Sequence, residues 1–217
     1  MKYVFAIIKF QSLEYIKALQ AGKLYMNHVH FFKNIEEKHV RKDIYEGLDK
    51  CFQPSQSKLI IGDHEIKSDH IVSPILCEKF IPEFTNIFCF FAVTTDLITD
   101  KNIINIDERL YDFGDYFLIP TDTAEFFYRI ESEIKRKQEI VKCRGDLVEY
   151  VNKDDYHGDM RIFRKFSVFE YQNEYRIAIK TEHKEKKPYI LDIGDISDIS
   201  TVGKTSELEG RLKVMPR

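Results

Sequence analysis

The sequence lacks a surplus of charge of either sign. It holds 33 Lys and Arg residues against 36 Asp and Glu residues, which gives a formal net charge of −3. Proteins that attract nucleic acid through a global positive field carry a clear excess of basic residues. We therefore expect any nucleic-acid partner to be held by a local patch.

Cysteine is scarce, and long hydrophobic runs at the N-terminus are missing. The four cysteines are far apart and show no CxxC or Cys/His spacing of a zinc site. Reduced thiols of this kind are typical of a cytoplasmic protein, which we predict here. The hydrophobic run 3–8 is too short for a membrane span and lacks a signal-peptide cleavage site. We therefore expect no membrane association.

Familiar nucleotide-binding, hydrolase and metal motifs are also missing. There is no GxGxxG and no GxxxxGK[ST] sequence, so a Rossmann or P-loop site is unsupported. No motif indicates Ser–His–Asp or Cys–His chemistry. His28 and His30 would share a face of a predicted strand, but no third ligand lies at a telling distance. We therefore predict no metal site.

What the sequence does contain is enough hydrophobic residue, 43%, for a substantial core. Periodicity and capping residues predict helices over 13–20 and 123–138, and a fully buried central strand over 86–95. A hairpin is predicted over 59–66, and strand segments over 140–151 are predicted to break at 144–146. About eight short strands and two helices indicate an α+β fold. We predict one domain, 1–217, with a possible long insertion at 52–85.

The segment 165–180, KFSVFEYQNEYRIAIK, has the clearest pattern of a functional strand. Its apolar residues alternate with Gln172, Glu174, Arg176 and Lys180, which we place together on the other face. Two interpretations stay open. Either the polar face is wet and Glu174 forms a weak surface pair with Arg176, or the strand holds Glu174 rigidly at the rim of a cleft.

Two loops lie near candidate sites. The segment 41–47, RKDIYEG, has too many charges for a core and ends in a turn glycine, so it is either solvated or lines a site. The polar segment 152–164 precedes the functional strand, and it either covers a site or is a surface connection.

Several of these segments together resemble a known group of proteins. The opening IIKF, the following helix, GKLYMNHVHFFKN and RKDIYEG, and the later FRKFSVFEYQNEYRIAI resemble a broad group of uncharacterised bacterial and phage proteins, some of which lie near defence genes. That group is in turn similar to ADP-ribosyltransferases, including the DNA-modifying toxin DarT. The likeness covers the opening of the chain and residues 86–180, as order and pattern more than as identity.

The resemblance implies a split, mostly antiparallel β core with NAD, as substrate, in the cleft between its halves. In such enzymes a strand-borne glutamate binds the nicotinamide ribose and stabilises the oxocarbenium-like transition state, because preorganised negative charge favours developing positive charge. Glu174 matches this catalytic glutamate. Gln172 matches the position that orients the acceptor in several of these enzymes.

The resemblance also implies four cofactor-binding residues. The first strand of the family usually supplies a His or Arg to the cofactor, and this sequence departs from that pattern with Lys9 or its neighbour Phe10 at the corresponding place. Tyr25 and Asn27, at the end of the second strand, are candidates for the nicotinamide side. Arg41 is a candidate for the pyrophosphate.

Two functions follow from these observations. The first is an ADP-ribosyltransferase-like enzyme that transfers ADP-ribose from NAD to a nucleic acid or a protein, as a toxin or a defence or phage effector, with an antitoxin as a further candidate partner. The second is a non-catalytic binding module that uses the same fold to hold a protein or nucleic-acid partner, which the departure at Lys9 favours. A nuclease built on Asp43, Glu46 and His157 is a third hypothesis, although no spacing ties these residues together.

Overall fold

The structure, a computed structural model, describes residues 2–35, 41–78, 83–99, 103–182, 186–208 and 212–213. The α-helices in these ranges are α1 (Leu13–Gln20), α2 (Phe31–Asn34) and α3 (Thr123–Arg136). The strands are β1 (Val4–Gln11), β2 (Lys23–His28), β3 (Leu48–Phe52), β4 (Leu59–Ile61), β5 (His64–Ile66), β6 (Ile75–Glu78), β7 (Asn86–Thr94), β8 (Tyr116–Pro120), β9 (Ile140–Leu147), β10 (Glu149–Val151), β11 (Gly158–Asp159), β12 (Arg164–Phe166), β13 (Glu174–Thr181), β14 (Tyr189–Asp192) and β15 (Ser200–Lys204).

Eight strands form the main sheet, and β7 lies at its centre. One edge of β7 pairs antiparallel with β13, and the other edge pairs with β2 at its start and with β1 at its end. The sheet continues outward on each side. Strand β14 pairs with β2, β8 pairs with β1 and then with β15, and β9 pairs with β13. The prediction of an α+β fold with mostly antiparallel strands is therefore confirmed.

The pairing leaves a gap between β1 and β2. Along β7, the pairing with β2 ends at Ile87 and the pairing with β1 begins at Phe91. Among the strands that the structure describes, none pairs with residues 88–90 of β7 on that edge, although β7 is buried along almost its whole length. A continuous apolar sequence explains this burial, since both faces of β7 contact the core.

The helices α1 and α3 pack on the core through apolar stripes. Ile16 and Leu19 of α1 and Phe126 and Ile130 of α3 join one hydrophobic cluster with residues of the central strands. Burying each such side chain contributes roughly 1.5–3 kcal/mol. No helix in the described parts of the chain is long and apolar enough to cross a membrane.

Most local sequence predictions are confirmed. Helix α1 has the predicted bounds, β4 and β5 form the predicted hairpin, and α3 starts where Asp122 accepts a hydrogen bond from the Glu125 backbone amide. The predicted break at 144–146 is wrong, because β9 runs through it and pairs with β13 throughout. Gly145 allows the Tyr175 ring to approach the strand, since a Cβ there would lie 2.7 Å from the Tyr175 hydroxyl.

Two small sheets hold the segment 41–52 against the residues that precede β13. Strand β3 pairs with β6 and β11, β10 pairs in parallel with β12, and Leu48, Cys51, Met160 and Phe166 form a buried cluster. The segment 152–164 is thus partly ordered as strand rather than a plain polar loop. The single domain with an insertion at 52–85 stays a prediction; that range contains β4, β5 and β6.

Candidate functional site

A cavity of about 530 Å³ lies where β1 and β2 separate along β7. Its volume falls within the range of about 300–1,000 Å³ that is usual for small-molecule sites. Its walls are mostly apolar and aromatic, with a few charged groups. The structure brings all six predicted site residues to these walls: Lys9, Tyr25, Asn27, Arg41, Gln172 and Glu174.

Glu174 is the first residue of β13, and its carboxylate is buried beside two cations. Its Oε1 accepts a hydrogen bond from Lys165 Nζ at 2.7 Å, and its Oε2 accepts one from Arg176 Nη2 at 2.9 Å. Only 8% of Glu174 and none of Arg176 is exposed. The interpretation of a weak surface pair is therefore wrong, because both side chains are buried on a strand that lies between β7 and β9.

Gln172 does not lie on the strand, which corrects the predicted strand face. It ends a 3₁₀-helix, Ser167–Gln172, and Asn173 then adopts a left-handed conformation with φ of 34° before β13 begins. Asn173 holds this turn because its side-chain amide donates hydrogen bonds to Ala92 O and Thr94 Oγ1. Gln172 still lies beside Glu174, since its Oε1 accepts a hydrogen bond from Lys165 Nζ at 2.8 Å.

The loop 41–47 supplies two buried acids, although its charges predicted no place in a core. Glu46 accepts two parallel hydrogen bonds from Arg176, both at 2.9 Å, which is the bidentate geometry of a strong pair. Asp43 lies 3.4 Å from Lys165 Nζ. The loop therefore lines the site, as one of its two interpretations held, because the cations of β12 and β13 compensate its acids.

The charges of this cluster decide its protonation. Burial by itself raises the pKa of the Glu174 carboxyl, but Lys165 and Arg176 outweigh burial and hold that pKa well below its usual range. Burial lowers the pKa of Lys165, but Glu174, Glu46 and Asp43 raise it well above its usual range. At neutral pH Glu174 is thus an ionised, fixed negative charge and Lys165 is a fixed positive charge.

A second pair of cations lies among aromatic rings of the cavity. Lys9 Nζ donates to Cys89 O at 2.7 Å and lies 4.3 Å from the centroid of the Phe88 ring. Burial lowers the pKa of Lys9 to about 8. Arg41 donates to Gln11 Oε1 at 2.7 Å and to the Phe113 carbonyl, so it spans from the loop to β1.

Cys89, next to Lys9, is a half-buried residue of the cavity wall. Burial, together with the charge of Glu174, raises the pKa of its thiol to about 12. The thiol is therefore protonated at neutral pH and is a poor nucleophile. Cys89 is therefore best described as a small apolar residue of β7.

Aromatic side chains form the outer wall of the cavity. The Tyr15 and Tyr25 rings meet edge to face with centroids 6.0 Å apart, and both rings are exposed, as is Phe31. Asn27 lies farther along β2, where its backbone pairs with Ile87 of β7. Flat rings at the mouth of a cavity are suited to planar ligand groups, because stacking adds to burial.

The residues of the nuclease hypothesis are not all brought together. Asp43 and Glu46 share the ion cluster. The Nδ1 atom of His157, in contrast, accepts a hydrogen bond from the backbone N–H of Gln53, and the His157 ring packs on Phe52. His157 does not line the cavity. Within the described residues, no group of three or more His, Cys, Asp and Glu side chains is placed to hold a metal ion.

The sequence pattern did not predict that Lys165, Asp43 and Glu46 join Glu174 in one ion cluster. Lys165 stands in an aromatic run, and the two acids stand in a loop more than a hundred residues before β13. The sequence shows that the two segments carry opposite charges, but only the tertiary fold brings the acids of one segment beside the cations of the other. Comparisons with protein families, with curated proteins and with solved structures gave no match to the chain.

Proposed function

We propose that the protein is an ADP-ribosyltransferase-like enzyme that uses NAD as its substrate. It transfers ADP-ribose to a macromolecular acceptor, a nucleic acid or a protein, as a toxin or a defence or phage effector. One observation carries the proposal: the ionised carboxylate of Glu174 is fixed at the wall of a cavity that also presents cations and aromatic rings.

The chemistry of NAD fits the residues of this cavity. Lys9 and Arg41 are suited to a pyrophosphate, since buried cations attract anions strongly in a low dielectric. Tyr25 offers a face for a planar ring, and Asn27 offers an amide for the nicotinamide carboxamide. The separation of β1 from β2 supports the finer part of the proposal, a split ADP-ribosyltransferase-like core with NAD between its halves.

Glu174 acts on the reacting ribose in this mechanism. Its carboxylate accepts a hydrogen bond from a ribose hydroxyl, and its negative charge stabilises the ribose cation that forms as the C1′–N bond breaks. Nicotinamide leaves with the bonding electron pair. The acceptor then attacks C1′ and loses its proton. The side-chain amide of Gln172 donates one hydrogen to the Tyr171 hydroxyl, 3.3 Å from Nε2, and its second hydrogen orients the acceptor.

A non-catalytic binding module is the second candidate, and a specific observation favours it. Both carboxylate oxygens of Glu174 are bonded to cations, which weakens the negative field that a ribose cation would experience. The resemblance, moreover, places Lys9 or its neighbour Phe10 where the resembling enzymes have a His or Arg. In this alternative the cavity holds an anionic ligand or a partner without reaction.

Labelled NAD tests the proposal directly. We would incubate the wild-type protein with RNA, single-stranded DNA, duplex DNA or cell lysate, together with Glu174→Gln and the control Glu170→Gln, whose side chain is exposed four residues earlier. If the protein is such an enzyme, the wild type and Glu170→Gln should transfer label to one of these four acceptors, and Glu174→Gln should transfer none. Unconsumed NAD that still raises the melting temperature would support the module, because a ligand of the folded state stabilises it. No consumption and no shift at millimolar NAD would refute NAD as the ligand.

A further inference from the structure

Lys165 is the contact point of the buried ion cluster. Its Nζ lies 2.7 Å from Glu174 Oε1, 2.8 Å from Gln172 Oε1, 3.4 Å from Asp43 Oδ2 and 3.8 Å from Glu46 Oε2. Only 7% of Lys165 is exposed. Burial of an ammonium group costs free energy of desolvation, which its ion pairs must offset. Here the four oxygen neighbours that do so come from the loop 41–47 and from residues 172 and 174.

We propose that Lys165 is a positioning residue, which holds the Glu174 carboxylate and the Gln172 amide side by side for the reaction in the cavity. This inference rests on the proposed function. It assigns Lys165 a role that acts through Glu174 and Gln172 rather than on the substrate.

The backbone does not align these two side chains. Gln172 ends a 3₁₀-helix and Glu174 begins a strand, and the left-handed Asn173 lies between them. Strand alternation therefore cannot place their side chains on one face. Instead, the Oε1 atoms of Gln172 and Glu174 share the hydrogens of one ammonium nitrogen.

A lysine suits this task better than an arginine. An ammonium group donates three hydrogens in separate directions from one atom, whereas a guanidinium presents a planar fork. Arg176 shows the contrast, since it uses its fork for the two oxygens of Glu46 and reaches Glu174 from the other side. An arginine at 165 would preserve the charge without preserving both contacts.

Lys165 also affects the protonation of Glu174. The titratable and charged groups around Glu174 and its partners are Lys165, Arg176, Glu46, Asp43, Lys9, Cys89 and Tyr150. Without Lys165, Arg176 is left as the adjacent cation for Glu174 and also pairs with Glu46. The pKa of the Glu174 carboxyl must then rise, because burial is less well compensated.

The test compares Lys165→Met, Lys165→Arg and the control Lys58→Met, which removes an exposed lysine that pairs with Glu65. We would measure NAD consumption across pH, and in parallel titrate the Glu174 carboxyl by NMR in ¹³C-glutamate-labelled protein, with Glu174→Gln for assignment. Circular dichroism checks that each variant is folded.

We expect Lys165→Met to lower kcat about 100-fold with little change in KM, because misplacement by about 1 Å has an effect of this size. The acid limb of its pH profile and the carboxyl titration should both move to higher pH. In Lys165→Arg the pKa of the Glu174 carboxyl should stay low, but kcat should fall. Lys58→Met should match the wild type in both measurements.

Two outcomes would overturn the inference. The first is a folded Lys165→Met whose pH profile and carboxyl titration match the wild type. The second is a Lys165→Arg variant with full kcat, which would show that charge alone suffices; this variant also decides the question if Lys165→Met does not fold. If the wild type consumes no NAD, the proposed function fails by itself, and the carboxyl titration still tests whether Lys165 controls Glu174.

Discussion

Replacement of Arg176 by methionine should strongly destabilise the protein. The guanidinium is fully buried and donates to both oxygens of Glu46 and to Glu174. Methionine is similar in length, so little cavity forms, but buried Glu46 loses its bidentate partner and buried Glu174 loses one of its two adjacent cations. Breaking a buried pair on one side costs about 3–5 kcal/mol. We therefore expect the free energy of unfolding, measured by urea denaturation at pH 7, to fall by about that amount.

Two further variants decide whether the ion cluster is the cause. Arg129→Met removes an arginine of α3 that also bonds two carboxylates, Glu125 at 2.7 Å and Asp198 at 2.8 Å, but near the surface. Its loss should be much smaller, since solvent screens such pairs. The double variant Arg176→Met with Glu46→Gln should be more stable than Arg176→Met, because one unpaired buried charge is gone. Equal losses for Arg176→Met and Arg129→Met would refute the reasoning.

Two other predictions concern single residues. The affinity of the wild type for ADP, measured by calorimetry, should fall as pH rises through about 8, where Lys9 loses its proton. Lys9→Met should bind ADP about tenfold more weakly at pH 7 and show no such fall. A pH-independent wild-type affinity between pH 7 and 9 would contradict this. Asn173→Ala should be less stable than Asn173→Gly by about 1 kcal/mol, because only glycine adopts the left-handed conformation freely and both variants lose the same hydrogen bonds. Equal urea midpoints for the two variants would show that the turn carries no strain.

Local chemistry explains which elements could be predicted from the sequence. Helix α1 ends two residues before Gly22, which has a φ of 85°, α3 is capped by the Asp122 side chain, and the hairpin turns at residues 62–63. Each boundary depends on a side chain or a glycine within a few residues of it. Such boundaries can be predicted because their causes lie in the same stretch of sequence.

The errors have causes that lie far away in the chain. Gln172 leaves the strand because Asn173 bonds to Ala92 and Thr94 of β7, some eighty residues earlier. Gly145 continues β9 instead of breaking it, because β9 pairs with β13 on both sides of this glycine. Propensity and alternation contain no information about these partners, so the pattern alone could not predict them.

The candidate site was predicted in part for the same reason. Its six predicted residues line one cavity, although their roles in binding and catalysis stay predictions. Glu174 could be predicted because strand alternation placed it among the polar residues of 165–180 and because it matches the catalytic glutamate of the resembling enzymes. The buried acids Asp43 and Glu46 could not, because burial of a charge is decided by a partner such as Arg176, which is 130 residues from Glu46.

That separation of 130 residues between Glu46 and Arg176 has a consequence for synthesis on the ribosome. At about 5–20 residues per second, the acids of the loop 41–47 emerge on the order of 10 s before their guanidinium partner. During that interval they stay hydrated, since burial without a counter-ion is unfavourable. The wall of the cavity that contains Glu174 is thus completed only after Arg176 has emerged. A nascent chain has no ligand-binding competence until most of the sheet can assemble.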